Sequence, residues 1–283
     1  MLKGFSLTVR RTKRRWLYGL MSVITALSIT IATPSPTYAF SWLDMLFRGV
    51  QIFQISNLSD RQEVELGKQI NRQLVQGRQM QIHNNRQINE YVNEIGQRLV
   101  PYSNRTNIPY TFQVVRDNNI NAFATMGGYT YVTTGLMKAA DNEAQLASVI
   151  AHEIAHITER HAVKQMRQRA LAAGVLSAAG LDQSAAVRIG VELALQRPNS
   201  RGDELEADAK ALETFTAAGY APIAIVNFME KLRGRSNVPE FLSTHPATSE
   251  RVQRLNAAID PAVANVGDGL NATDYRARIR PLL

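Results

Sequence analysis

A chain of 283 residues with 45% hydrophobic content is long enough to bury one full-sized core. It contains no cysteine, which excludes disulfides, thiol nucleophiles and a lipid-attachment cysteine. The formal charge of +8 suggests nucleic acid or anionic membrane only until it is located: six of the 32 basic groups and none of the 24 acidic ones lie in residues 1–39, so the remainder carries +2 and no nucleic-acid-binding patch is expected.

The basic groups Lys3, Arg10, Arg11, Lys13, Arg14 and Arg15 precede an apolar stretch from Trp16 to Ala32. Thr37-Tyr38-Ala39 then places small residues where a signal peptidase cuts. Cleavage after Ala39 and export to the periplasm or cell envelope are expected. The alternative is a retained anchor, since the apolar stretch is close to the shortest that spans a bilayer. Residues 40–58 are rich in large apolar side chains (Phe40, Trp42, Leu43, Leu46, Phe47, Ile52, Phe53, Ile55). Packing onto the following domain is the favoured reading. A peripheral membrane contact is the alternative, and it lacks the basic face that anionic lipid attracts.

Ser59-Asp60-x-x-Glu63 reads as a capped helix start with an acidic first turn, the helix running towards Gln76. A second helix is expected over 85–100, ending before Pro101. Both have polar Gln, Asn and Arg faces and an Ile, Leu, Val stripe, the pattern of amphipathic cover over a core. His83 between them reads as a solvated loop residue. From Tyr110 the period changes to two: a strand over 110–115, then a hairpin with strands over 122–125 and 129–134 about a Gly127-Gly128 turn.

A helical run follows from near Asp141 to beyond Arg160, with Leu146, Val149, Ile150, Ile154 and Ile157 at helical spacing. It carries His152-Glu153-Ile154-Ala155-His156. Residues four apart share one helix face, so both imidazoles can converge on one ion. Two neutral nitrogens suit zinc, and Glu153 stands where a carboxylate can take a proton from an attacking water. The five-residue pattern alone also describes two surface histidines flanking a glutamate. The apolar surroundings argue for burial, and buried polar groups require partners.

Residues 170–181 and 184–195 read as two short helices, the first of small apolar residues, forming a lid-like insertion over 170–196 that is too short and too charged to span a membrane. Pro198-Asn199-Ser200 then opens a helix with acidic residues in its first turn. Glu204 and Asp208 share a face of it, so Glu204 is the candidate third ligand and Asp208 the acceptor for the distal nitrogen of a ligand histidine. A plain acidic first turn, favoured by the helix dipole, is the competing account of Asp203 to Asp208. His161 is not a third histidine ligand of the long metal motif, which places that histidine six residues after the second; here position 162 is alanine. Helices are expected over 222–233 and 249–259, with a loop over 234–239, and 260–283 reads as a tail.

Taken together, His152-Glu153-x-x-His156, Ser200-Arg201-x-x-Glu204-x-x-x-Asp208, Asn121-Ala122-Phe123-Ala124-x-x-Gly127-Gly128-Tyr129-x-Tyr131, Arg160-His161, Gly219-Tyr220-x-Pro222 and Ser243-Thr244-His245-Pro246-x-Thr248-x-x-Arg251 resemble the M48 family of zinc metallopeptidases over residues 60–258. Met126 departs from the pattern, since relatives often have proline before the glycine pair. The resemblance implies an α+β, zincin-like fold, mainly helical with a small antiparallel sheet, and one Zn²⁺ held by His152, His156 and Glu204. It implies Glu153 as the catalytic base and a substrate-binding edge strand at Asn121, Ala122, Phe123 and Ala124. His245 has three roles open to it: fourth ligand closing the resting site, oxyanion donor, or substrate contact. Arg251 either supports His245 or stabilises developing negative charge. By resemblance to exported bacterial members, the substrates are unfolded or misassembled envelope proteins. A zinc-stabilised, chaperone-like assembly factor with little hydrolysis is the alternative.

Overall fold

The computed structural model describes residues 52–53, 57–173, 181–195, 200–246 and 248–283. The signal expected over 1–39 and most of the apolar segment 40–58 lie outside the described residues. Of that segment, Ile52–Phe53 forms a short strand, β1, paired antiparallel with β5 (Leu181–Asp182), and Leu58 is buried.

Helix α1 (Asp60–Gln76) starts at Ser59, whose hydroxyl accepts from the Gln62 amide while the Gln62 side chain accepts from the Ser59 amide, so two otherwise unpaired donors are satisfied. Helix α2 (Arg86–Leu99) is capped by Asn85 and gives way to a tight turn at Val100–Tyr102, where Pro101 cannot continue the ladder. The sheet comprises β2 (Thr111–Val115), β3 (Ala122–Thr125) and β4 (Tyr129–Thr133), in the order β2-β4-β3. Here the expected antiparallel sheet is corrected to a mixed one. The β3–β4 hairpin is antiparallel, but β2 runs parallel to β4, because the intervening chain carries β3 to the far side of β4. The turn that has Met126 in place of proline is held from outside: Gly127 N donates to Glu63 Oε1 at 3.3 Å, and α1 approaches so closely that a Cβ on Gly67 would meet Met126 O at 2.2 Å.

After the short helix α3 (Thr134–Ala139) comes α4 (Glu143–Thr158), capped by Asn142 and buried at every position from Ala144 to Ile157. A helix buried on every face belongs in the middle of a domain. The helical run expected to pass Arg160 instead breaks there. Arg160 adopts the left-handed conformation (φ 55°, ψ 34°) and α5 (His161–Ala172) begins immediately after it. Arg160 Nε lies 3.0 Å from the buried Glu63, which Arg105 also engages at 2.8 and 3.1 Å, so the break is anchored to α1.

Helix α6 (Gln183–Leu195) lies where the second of the two insertion helices is expected; α5 ends at Ala172, Leu181 belongs to β5, and residues 174–180, most of the first expected helix, fall outside the described residues. Helix α7 (Arg201–Ala217) is capped by Ser200, and Gly219 (φ 86°) ends it. Helices α8 (Ile223–Arg233), α9 (Glu240–Thr244) and α10 (Ser249–Ala258) follow, α9 falling in a stretch with no helical expectation. The expected tail is corrected as well. Residues 272–278 form α11 (Ala272–Arg278), and Tyr275, Ile279 and Leu282 join the main core. Among the described residues no helix is long and apolar enough to cross a membrane.

Candidate metal centre

Helix α4 presents His152 and His156 from consecutive turns, with their Nε2 atoms 3.1 Å apart. Helix α7 crosses it and brings Glu204, whose oxygens lie 3.4 Å from each of those nitrogens. His245, just past α9, completes a group of four buried donors whose ligating atoms all lie within 4.8 Å of one another. Its Nδ1 is 3.1 Å from Glu204, its Nε2 is 3.5 Å from Glu153, and its ring stacks on Phe241.

The fit of this donor set to zinc follows from its dimensions and charge. Ligands about 2.0–2.1 Å from a tetrahedral ion stand about 3.3 Å from one another, close to the separations among His152, His156 and Glu204. Two imidazole nitrogens and a carboxylate, all nearly devoid of solvent contact, repay burial only around a cation. The buried groups of the site also act strongly on one another. Burial alone would lower the pKa of His152, yet hydrogen bonds to Asp208 and Glu204 raise it to about 9. Burial holds the pKa of His156 well below its ordinary value. Burial would raise that of Glu204, but the facing His245, His152 and His156 drive it down and keep the carboxylate ionised. Glu153 is fully buried, and neither of its oxygens has a hydrogen-bond partner among the described residues. A carboxylate in that condition is costly unless it has another task.

Around the donors lies a second set of contacts. Asp208 Oδ1 sits 3.1 Å from His152 Nδ1, the placement expected for it. Arg251, itself buried, grips Asp208 through Nε and Nη2 at 2.6 and 2.7 Å. Its Nη1 lies 2.7 Å from Glu204 and donates to Pro246 O at 3.0 Å, so the same guanidinium holds the turn that follows His245. The distal nitrogen of His156 meets His161 instead, Nδ1 to Nδ1 at 2.7 Å, a contact that sequence reading missed. The only sequence signal for it is the Arg160-His161 pair. His161, Asp203 and Glu206 form a second acidic group, but Lys164 Nζ already lies 2.6 Å from Asp203 as its counter-ion.

The expected edge strand is β3, at the border of the sheet. Asn121 Nδ2 donates to Glu240 at 3.0 Å and Phe241 N donates to Ile120 O at 2.9 Å, which ties α9, and with it His245, to the entry of β3. A cleft opens alongside, lined among others by Asn121, Phe123, Leu195, Glu240, Thr244 and His245. Ala122 and Ala124 are buried on the sheet's inner side.

Sequence comparison places this geometry in a family context. Residues 86–259 match the model of Peptidase family M48. The chain is 34% identical to the beta-barrel assembly-enhancing protease of Escherichia coli (strain K12) over 214 residues, 70% of this chain and 44% of that protein. It is 33% identical to the protein of the same name from Yersinia pestis over 183 residues, 58% of this chain and 37% of that one. The mitochondrial metalloendopeptidase OMA1 of Schizosaccharomyces pombe is 31% identical over 172 residues, 58% of this chain and 51% of that one. The matched region thus spans less than half of either bacterial relative.

Proposed function

The chain belongs to peptidase family M48, and on that premise we propose that it is an exported zinc-dependent endopeptidase of the periplasm or cell envelope. The observation that carries the proposal is the convergence of His152, His156, Glu204 and His245 from three separate elements, with Glu153 beside them.

In this reading His152, His156 and Glu204 hold one Zn²⁺. Bound there, zinc supplies Lewis-acid polarisation of the scissile carbonyl and acidifies water. Glu153 takes a proton from the attacking water on a carboxylate oxygen and returns it to the nitrogen of the leaving amine. Asp208 accepts from His152 Nδ1–H, which fixes that ring's tautomer and leaves Nε2 as the donor atom. Arg251 neutralises Asp208 and Glu204 so that both remain ionised in the interior. The edge strand, Asn121 to Ala124, pairs main chain to main chain with an extended peptide, which favours unfolded segments over folded ones. His245 closes the resting site, and a substrate gains access by displacing it. The bacterial relatives are named for beta-barrel assembly, so the substrates proposed for this chain are misassembled envelope proteins, and its role is quality control.

The burial of all four donors also favours a second reading, a zinc-stabilised assembly factor with little hydrolysis. The test is metal analysis together with casein digestion, with and without chelator, on the wild type and Glu153→Gln. The peptidase reading expects stoichiometric zinc in both proteins and digestion only by the wild type. A wild type that binds zinc and never cleaves would leave the assembly reading standing.

A further inference from the structure

His156 and His161 are five residues apart, and on an unbroken α-helix that spacing would turn their side chains roughly 140° from one another. The left-handed Arg160 reverses this. It ends α4, restarts the chain as α5, and aims the first side chain of the new helix back at the last turn of the old one. The outcome is the 2.7 Å contact between His156 Nδ1 and His161 Nδ1, with His161 only 1% exposed. The other ring nitrogen of His161, Nε2, faces Glu206 Oε2 at 3.1 Å and Asp203 at 3.7 Å.

Between two neutral rings those contacts fix the tautomers. A carboxylate only accepts, so a neutral His161 carries its one proton on Nε2 and donates it to Glu206. Its Nδ1 is then a lone pair, and the partner nitrogen 2.7 Å away, His156 Nδ1, must supply the hydrogen. That leaves the lone pair of His156 on Nε2, the atom that faces His152 and Glu204. We propose that His161 is a positioning residue: it fixes His156 in the Nδ1–H tautomer and orients its ring, carrying the negative field of Glu206 to one ligand as Asp208 does directly for the other. This deepens the metalloenzyme reading and rests on His156 as a ligand. It also gives the break at Arg160, anchored on the buried Glu63, a purpose beyond turning the chain.

The experiment is zinc affinity by chelator competition on the full chain, comparing wild type, His161→Phe, His161→Asn and Glu206→Gln. Ring ¹⁵N–¹H spectra of the wild type accompany it. Loss of a hydrogen-bond partner to a ligand histidine costs about 10- to 100-fold in metal affinity, and that is the fall expected for His161→Phe. In His161→Asn the side-chain oxygen takes the place of Nδ1 and restores most of it. Glu206→Gln, altering a half-exposed side chain, gives a smaller loss in the same direction. A folded His161→Phe that binds zinc like the wild type overturns the proposal, and so does His161→Asn binding as weakly as His161→Phe. Should His161→Phe fail to fold, the spectra decide: the proton of His161 belongs on Nε2, and finding it on Nδ1 overturns the assignment. A wild type with no zinc affinity defeats the metalloenzyme reading itself.

Discussion

Arg251 and Asp208 form a bidentate pair, Nε to Oδ2 at 2.6 Å and Nη2 to Oδ1 at 2.7 Å, with both side chains almost wholly buried. Removing one partner of such a pair strands the other. Arg251→Met conserves volume but leaves Asp208 and Glu204 without their shared cation. The expected cost is about 3–5 kcal/mol, read from urea unfolding in the presence of chelator. Added zinc should recover part of it, because the ion compensates Glu204 directly and Asp208 through His152. Equal losses with and without zinc would show that Arg251 does not act on the metal site.

The proposed ligands come from α4, α7 and the turn after α9 and meet only in the folded chain, so on that proposal zinc should raise stability by mass action. At a free concentration 100 times Kd the gain is about 2.7 kcal/mol. It should appear as an upward shift in Tm that chelator reverses. Glu204→Gln, which keeps shape and loses the charge, should abolish most of the shift. A shift of equal size in Glu204→Gln would mean that zinc binds elsewhere.

What the sequence made legible was local. Ser59, Asn85 and Ser200 cap the helices they were expected to start, because a side-chain oxygen three residues before an amide is a nearest-neighbour signal. The pairing of His152 with His156 follows from one helical turn. What stayed hidden depended on distant chain. The break at Arg160 is held by Glu63, nearly a hundred residues earlier, and nothing between Ile157 and Val163 announces it. The parallel partner of β4 has no tight turn to mark it. Tyr275, Ile279 and Leu282 do recur at helical spacing, but as a single seam among Gly, Asp, Asn and Arg they were too sparse to outweigh the composition. In the site itself, the residue types pointed to the side chains that the fold brings together, whereas the clamp by Arg251 required knowing that α10 packs on α7.

Several tyrosines are poised to make the fold sensitive to alkali. Burial, together with Glu143, pushes Tyr91 and Tyr220 well above the usual phenol range; burial does the same for Tyr131 and Tyr275, and raises Tyr110 to about 12. A folded-state pKa above the unfolded one means that the contribution is complete below the unfolded value of about 10 and is lost as pH rises beyond it. Only the unfolded chain can then release the proton. The expected slope is about 1.4 kcal/mol per pH unit for each such group. Phenolate absorbance should therefore rise together with loss of helical circular dichroism above pH ~10. Free titration of all nine tyrosines before unfolding would contradict the burial described here.

The final turn of the chain makes the sharpest claim about stability, because nothing in its composition suggests a structural role. Gly269 O accepts from Ala144 N at 2.9 Å, at the very start of the helix that carries His152 and His156. Gly269 has φ 84°, and a Cβ there would meet the same Ala144 N at 2.8 Å. Six residues on, Tyr275 is 1% exposed and donates its hydroxyl to Met137 O at 2.6 Å. Tyr275→Phe keeps the ring and strands that carbonyl, for an expected loss of about 1–3 kcal/mol. Tyr275→Ala also opens a cavity in the main core and should cost about 3–5 kcal/mol. Both losses should be measured by denaturant unfolding, with limited proteolysis reporting whether the α3–α4 region opens first. A Tyr275→Ala protein as stable as the wild type would restore the reading of this segment as a tail.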